Sequence, residues 1–319
     1  YYSSITQLFL ILPYYLLKNY KTIIKFVQQS NTLFISASSP LSIFLMYLFR
    51  KHKKDIILFI RQDTPRLIQA KNEKKSIAYL TALILEQCIY LIVKNYKNIH
   101  IFVFGKQIYN RYKKKAKNVS IIADPKYSYK DIVLKRKIKR RDYSILKLLY
   151  VGRLAKGKGL QFLIDVLADC NDINYTLSII GEGDLKKNIK EKIIALNLSD
   201  KIKLRGFIPH GMELLNEYSK HNVFIMPSFS EGLPQVVLEA MAKGVLVVST
   251  AVGGLEYLIN NEVNGLIFQV GNKENLKDTL TKVSLNKYND VSIRKRGIDV
   301  AKYYSIEKQI KIFYNTINE

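Results

Sequence analysis

The chain has 319 residues, a formal net charge of +25 and an apolar fraction of 48%, which is too long for one ordinary core and fits two globular domains at roughly 150 residues each. Two cysteines, Cys88 and Cys170, exclude a disulfide framework or a cysteine-based metal site and fit a reducing compartment. The charge is uneven: residues 1–145 hold 28 Lys and Arg against 7 Asp and Glu, whereas residues 146–319 hold 23 against 19. A basic half of this kind attracts nucleic acid, anionic lipid headgroups or a phosphate-bearing substrate, and general enrichment in Lys contributes to it.

In chain order, Thr32 to Ala37 (TLFISA) and Asp55 to Ile60 (DIILFI) read as buried strands. Between them SIFLMYLFRKHKK reads as a helix with a basic end, which complements its dipole. Ser76 to Tyr96 is a long apolar helix whose Glu86 and Gln87, near its centre, argue against a membrane span. Ile99 to Phe104 and Asn118 to Ala123 are further strands. The run KRKIKRR, Lys135 to Arg141, is read as a solvated linker and the best domain boundary.

From Lys147 the pattern is cleaner: KLLYV, YTLSII, IKLRGF, NVFIMP, VLVVST and GLIF are six short strands, with helical segments between most of them. That alternation predicts a parallel, doubly wound sheet, in which ligands bind beyond the carboxyl ends of the strands. The turns after these strands are therefore where chemistry is expected.

The first turn, VGRLAKGKG, places Gly152, Arg153 and Lys158 before a helix with the apolar face Leu160, Leu163, Val166 and Leu167. It imitates a phosphate-binding P-loop except that Gly159 stands where Ser or Thr would hold magnesium. Arg153 and Lys158 leave an anion site, although alone the stretch also reads as a Gly-rich turn with two surface cations. The second turn, GEGDL, carries Gly181 and Gly183 and is weak by itself. The third, SEGLPQVVLEAMAKG, places Glu231, Gly232 and Leu233 in a loop, Pro234 at the start of a helix and Gly244 at its end. Val236, Val237, Ala240 and Met241 form one apolar arc, and Glu239 falls outside it, free to face solvent or a ligand. Free N–H groups near Gly232 and Leu233 suit phosphate while carboxylates suit sugar hydroxyls, so the expected ligand has an anionic part and a polyol part. VVSTAVGGLEYLI then brings Gly253, Gly254 and Glu256, followed by NGLIF.

Together, GRLAKGKG, IIGEGDL, RGF, MPSFSEGLPQVVLEAMAKG, STAVGGLEYL and NGLIF, spanning Lys147 to Phe268, resemble the donor domain of family-four retaining glycosyltransferases. The resemblance implies an α/β protein of the GT-B class, with two Rossmann-like doubly wound domains facing a cleft. Against that pattern the N-terminal domain is expected to be truncated or divergent, because the family's usual opening strand and Gly-rich loop are not read in it. RQDTP, Arg61 to Pro65, occupies the place of a family histidine, and His52, His100, His210 and His221 show no catalytic spacing. The expected division is an acceptor-binding domain over 1–146, a donor-binding domain over 147–296 and a C-terminal helix over 297–319 packing back toward the first.

The resemblance further implies that Arg153 and Lys158 bind the diphosphate of a nucleotide sugar, with a UDP-sugar as the expected donor. It gives Glu231 the donor sugar, Glu239 the ribose hydroxyls, and Gly232 and Leu233 backbone contacts to the diphosphate and sugar. Gly152, Gly181, Gly183 and Arg205 line the nucleotide pocket. No metal and no cofactor are expected, in keeping with the lack of an Asp-x-Asp pair. The implied reaction is sugar transfer with retention to a glycan or lipid-linked glycan, in surface polysaccharide or glycolipid assembly. The basic half implies a cytoplasmic protein held peripherally on an anionic membrane, without nucleic acid as partner. The rivals are a P-loop nucleotide hydrolase and a non-catalytic, nucleic-acid-binding protein using the basic half.

Overall fold

The computed structural model describes residues 14–37, 39–61, 64, 65, 68 and 77–318. The chain divides into two compact units, Tyr1–Ile122 with Phe313–Glu319, and Ala123–Ile312. Each is built on its own parallel sheet.

In the first unit, β1 (Thr32–Ser36), β2 (Asp55–Ile60), β3 (Ile99–Val103) and β4 (Asn118–Ile121) lie side by side in sequence order. The connecting helices are α2 (Pro40–Lys51), α3 (Ile77–Val93) and α4 (Lys106–Tyr112), with α1 (Tyr20–Gln29) leading in. Helix α2 begins at Pro40 rather than Ser42, because Ser39 caps it: its Oγ accepts the Ser42 N–H at 3.1 Å and proline suits a first helical position. Ser76 of the predicted long helix lies outside the described residues, as do Gln62 and Asp63 of RQDTP.

Alternation along the strands separates two faces. Ile56, Leu58, Ile60, Ile101 and Val103 pack with residues of all four helices: Val27, Met46, Phe49, Ile89, Ile92 and Ile108 among them. Ile57 and Phe102 point the other way and meet Phe313 and Ile317. Because parallel crossovers are right-handed, a sheet that grows in one direction carries its helices on one face, and α1–α4 accordingly form a single layer.

The second unit has six strands: β5 (Leu146–Val151), β6 (Tyr175–Ile180), β7 (Ile202–Gly206), β8 (Val223–Met226), β9 (Leu246–Thr250) and β10 (Leu266–Phe268). They match the six segments predicted from sequence. Their order is β10-β9-β8-β5-β6-β7, so the chain winds outward one way from β5 and then returns to wind the other way from β8. The point of reversal lies between β5 and β8, where open sheets of this kind form their ligand crevice; the turns that follow the two strands meet there, Phe229 N–H donating to the Gly157 carbonyl at 3.0 Å. Helices α5 (Leu160–Ala168), α6 (Lys186–Ala195), α7 (Met212–Ser219), α8 (Gln235–Ala242), α9 (Leu255–Leu258), α10 (Lys273–Ser284) and α11 (Asp290–Tyr303) cover the sheet in two layers, one closing over Leu148, Tyr150 and Ile179, the other over Leu149, Val151 and Phe224.

The division falls at Ile122–Ala123 rather than at residue 146, and KRKIKRR lies inside the second unit. Burial explains the difference. Tyr127, Ile132 and Ile138 sit in the core around α8, Val133 donates its N–H to the Ala242 carbonyl at 2.9 Å, and the Tyr127 hydroxyl donates to the Ala301 carbonyl at 2.8 Å. Within the run of cations Ile138 is buried, the Lys139 carbonyl accepts from Arg294 and Arg141 donates to the His221 carbonyl at 2.7 Å. The last helix, α12 (Ile306–Asn318), begins in the second unit and ends in the first, where the Phe313 ring lies 4.8 Å from that of Phe102.

Candidate functional site

Lys158 closes the turn after β5, and Glu231 sits in the loop after β8, so the two flank the reversal point of the sheet. They meet there: Lys158 Nζ donates to Glu231 Oε1 at 2.7 Å and to Oε2 at 2.8 Å. The Ser228 hydroxyl donates to Glu231 Oε1 at 2.6 Å. The Glu231 side chain is only 7% exposed against 23% for Lys158, so the carboxylate is held inward and its neutralising cation is its cover. Tyr150 underlies this pair. Burial first, then the negative charge of Glu231, pushes its phenol well up, so it stays a neutral donor, here to the Arg153 carbonyl at 3.1 Å. Arg153 is exposed and makes no ion pair among the described residues.

The loop and helix after Glu231 supply backbone donors. The N–H groups of Gly232, Leu233, Gln235 and Val236 reach no protein acceptor among the described residues, as expected for the opening of a helix. Gly232 is exposed, with open space around its α-carbon. The buried side-chain oxygen of Gln235 also lacks a partner. Four unpartnered donors, one lysine shared with Glu231 and one exposed arginine are the groups an anion site uses, and the carboxylate held by Lys158 and Ser228 is the kind of group that accepts from hydroxyls.

Two glycines fix how closely these loops approach one another. A Cβ at Gly253 would lie 1.9 Å from the Glu231 carbonyl oxygen, and the backbone there has φ +58°. At Gly159, φ +69°, a Cβ would lie 1.9 Å from the Pro227 carbonyl oxygen. The close approach at these two glycines is thus made by neighbouring loops. Gly159 also settles the P-loop comparison on structural grounds: no Ser or Thr fits where that motif needs one. Gly152, Gly181 and Gly183 belong to the same stitching, since Gly152 N–H donates to the Ile180 carbonyl at 3.0 Å and Leu154 N–H to the Glu182 carbonyl at 2.8 Å.

Glu239 departs from its expected position. It is not free: at 2% exposed it is buried, with Oε2 accepting the Tyr218 hydroxyl at 2.7 Å and Oε1 facing His210 Nε2 at 3.1 Å. Helix α8 is apolar nearly all round, since Leu238 is buried as well as Val237, Ala240 and Met241, and the glutamate occupies a polar slot in that wall. Burial and the adjacent carboxylate together keep the Tyr218 hydroxyl protonated by raising its pKa. His210 had no apparent role in the sequence; its partner lies 29 residues away, a pairing that no local spacing reveals. Arg205 is exposed at the end of edge strand β7, and its charge acts on Glu217 and His221. No hydrogen bond or ion pair among the described residues ties it to Arg153, Lys158 or Glu231. The structure therefore sets Arg153, Lys158, Glu231, Gly232 and Leu233 on the two turns that meet at the reversal point, Glu239 one to two turns into the adjoining helix, and Arg205 apart at the sheet edge.

A family model described as Glycosyl transferases group 1 matches residues 134–300, slightly more than half of the chain. The chain belongs to that family. Among curated relatives, an uncharacterized glycosyltransferase of Methanocaldococcus jannaschii is 32% identical over 160 residues, 50% of this chain and 44% of its own length. The amylovoran biosynthesis glycosyltransferase of Erwinia amylovora is 32% identical over 157 residues, 46% of this chain and 38% of its own length. The alignments thus span about half or less of these group 1 relatives. Solved structures cover more: sucrose-phosphate synthase of Thermosynechococcus elongatus aligns with 94% of this chain and 79% of its own at TM-score 0.71 and 21% identity. Anabaena HepE in complex with UDP aligns with 93% of this chain and 81% of its own at TM-score 0.71 and 16% identity. Likeness at that level establishes the fold, the GT-B fold expected from the motifs.

Proposed function

We propose that this group 1 chain transfers a sugar from a nucleoside diphosphate sugar to a hydroxyl of a glycan or lipid-linked glycan, with retention of anomeric configuration. The observation that carries this reading is the Lys158–Glu231 pair at the reversal point of the second sheet, beside four unpartnered backbone donors. Lys158, Arg153 and the N–H groups of Gly232, Leu233, Gln235 and Val236 hold the diphosphate and oppose the charge it gains on leaving. Glu231, released in part by Lys158 as that lysine turns to phosphate, accepts hydrogen bonds from the sugar hydroxyls. Glu239 receives the ribose hydroxyls, with His210 and Tyr218 holding its carboxylate in place. The bond from the anomeric carbon to the diphosphate oxygen breaks as the acceptor oxygen bonds on the same face, and the acceptor proton passes to the departing phosphate. Positioning and electrostatics supply the rate, and no metal is required.

A uridine donor is supported by the HepE structure, which holds UDP. A polysaccharide acceptor is supported by the amylovoran biosynthesis relative and by the fold of the lipopolysaccharide outer core galactosyltransferase WaaB, TM-score 0.68 over 95% of this chain. We further propose that the protein works at the cytoplasmic face of a membrane; among the described residues no helix is long and apolar enough to cross one. The test is incubation of the chain with UDP-sugars and acceptor glycans, with the product anomer read by NMR in the presence and absence of EDTA. A product with the anomeric configuration of the donor, formed equally with EDTA, is expected. An inverted product would overturn retention, and strict magnesium dependence would overturn the metal-free mechanism.

A further inference from the structure

The helix layer of the first unit has an unusual outer side. A helix that covers one face of a sheet normally turns polar residues outward. On α3 the outward positions are Ile77, Leu80, Ile84 and Leu91, exposed by 72%, 60%, 52% and 69%, while Ala82, Ile89, Ile92 and Val93 face the core. Their spacing of three, four and seven residues makes one continuous stripe on the side opposite the sheet. Helix α2, which packs beside α3, adds exposed Leu41 and Tyr47, and α1 adds Tyr20 and Phe26. All three helices lie on the same sheet face, so the outer side of the layer carries the α3 stripe with exposed apolar residues of its neighbours beside it.

The charges around that surface have one sign. Helices α1 to α4 contain Lys21, Lys25, Arg50, Lys51, Lys106 and Arg111, and a single acidic residue, Glu86. Glu86 is engaged by Arg111. Lys18 precedes α1 and Lys94 follows α3, both exposed. A second copy of the chain would bring the same cations against themselves across such a face. An anionic bilayer complements them, and it also receives the apolar side chains at the level of the headgroups.

We infer that the outer side of the α1–α3 layer is a membrane-docking surface, with Leu80 and Ile84 entering an anionic leaflet and the flanking lysines engaging its headgroups. The inference names the element behind the proposed peripheral location and is independent of the donor site, which lies in the other unit.

The experiment is vesicle flotation of the full chain with phosphatidylcholine alone and with half phosphatidylglycerol, alongside calorimetric UDP binding and sedimentation. The wild type is expected to float with the anionic vesicles and at least tenfold less with the zwitterionic ones. Leu80→Glu/Ile84→Glu and, separately, Lys21→Glu/Lys25→Glu are each expected to cut flotation at least tenfold with the thermal midpoint and UDP binding unchanged. Flotation that ignores lipid charge, or that survives both double variants, would overturn the inference. A wild-type dimer that the Leu80→Glu/Ile84→Glu variant splits would overturn it in favour of self-association. Loss of UDP binding in the wild type with flotation intact would instead count against the donor reading alone.

Discussion

Lys158→Ala is expected to lower kcat/KM for sugar transfer by about 10²–10³, the range seen when one aimed donor to developing negative charge is removed from an enzyme. The lysine is half-buried and held on Glu231, so its charge is placed before substrate arrives and is weakly screened. Arg153, exposed and unpaired among the described residues, is expected to lose less on truncation, about tenfold, because solvent attenuates its field. Removing Lys158 also strands the Glu231 carboxylate with Ser228 as its one hydroxyl partner, so the single variant mixes two effects. Glu231→Gln and Lys158→Met/Glu231→Gln separate them, since together with the single lysine variant they complete a double-mutant cycle. If Lys158 acts on the leaving diphosphate, losing it slows the Glu231→Gln background at least tenfold further; no further loss would assign the lysine a purely structural role.

The second large effect concerns stability. Arg294 is 3% exposed; its Nε donates to Asp290 Oδ2 at 3.0 Å, its Nη1 to the Gly244 carbonyl at 3.3 Å and its Nη2 to the Lys139 carbonyl and Asp290. This one guanidinium ties α11 to the end of α8 and to the basic segment that leads into β5. Arg294→Ala leaves Asp290 buried with the Tyr143 hydroxyl, at 3.3 Å, as its one remaining side-chain donor among the described residues, and takes a donor from two carbonyls. Breaking a buried pair by removing one member costs about 3–5 kcal/mol, and that loss is expected in urea unfolding of the second unit. Arg294→Lys is expected to recover little of it, because an ammonium cannot reach three acceptors in one plane. A change under about 1 kcal/mol would show that the segment is not anchored as described.

The six strands of the second unit were legible because each is a short run with apolar residues at its heart, four of them running into glycine or proline, and their turns carried the site residues in order. Periodicity also found the strands of the first unit. What it did not find depends on partners distant in sequence. Buried Ile138, the Lys139 carbonyl held by Arg294 and Arg141 donating to the His221 carbonyl anchor a stretch that reads as solvent-facing. Glu239 fell outside a predicted apolar arc, yet neighbouring segments close over it and supply Tyr218 and His210. Gly159 and Gly253 could be read as turn residues, but the carbonyls that demand them belong to other loops. The outward stripe on α3 was hidden differently: a helix apolar on both sides has no contrast between faces for periodicity to detect.

The central claim is that the crevice between β5 and β8 holds a nucleoside diphosphate sugar. Its most direct test is calorimetric titration of the wild-type chain and of Glu239→Gln with a panel of nucleoside diphosphate sugars, each compared with the nucleoside alone. The prediction is one base for which the diphosphate sugar binds at least a hundredfold more tightly than the nucleoside, and for which Glu239→Gln weakens both by about tenfold, near one lost hydrogen bond to a charged group. A panel in which no diphosphate sugar binds better than its nucleoside would contradict it.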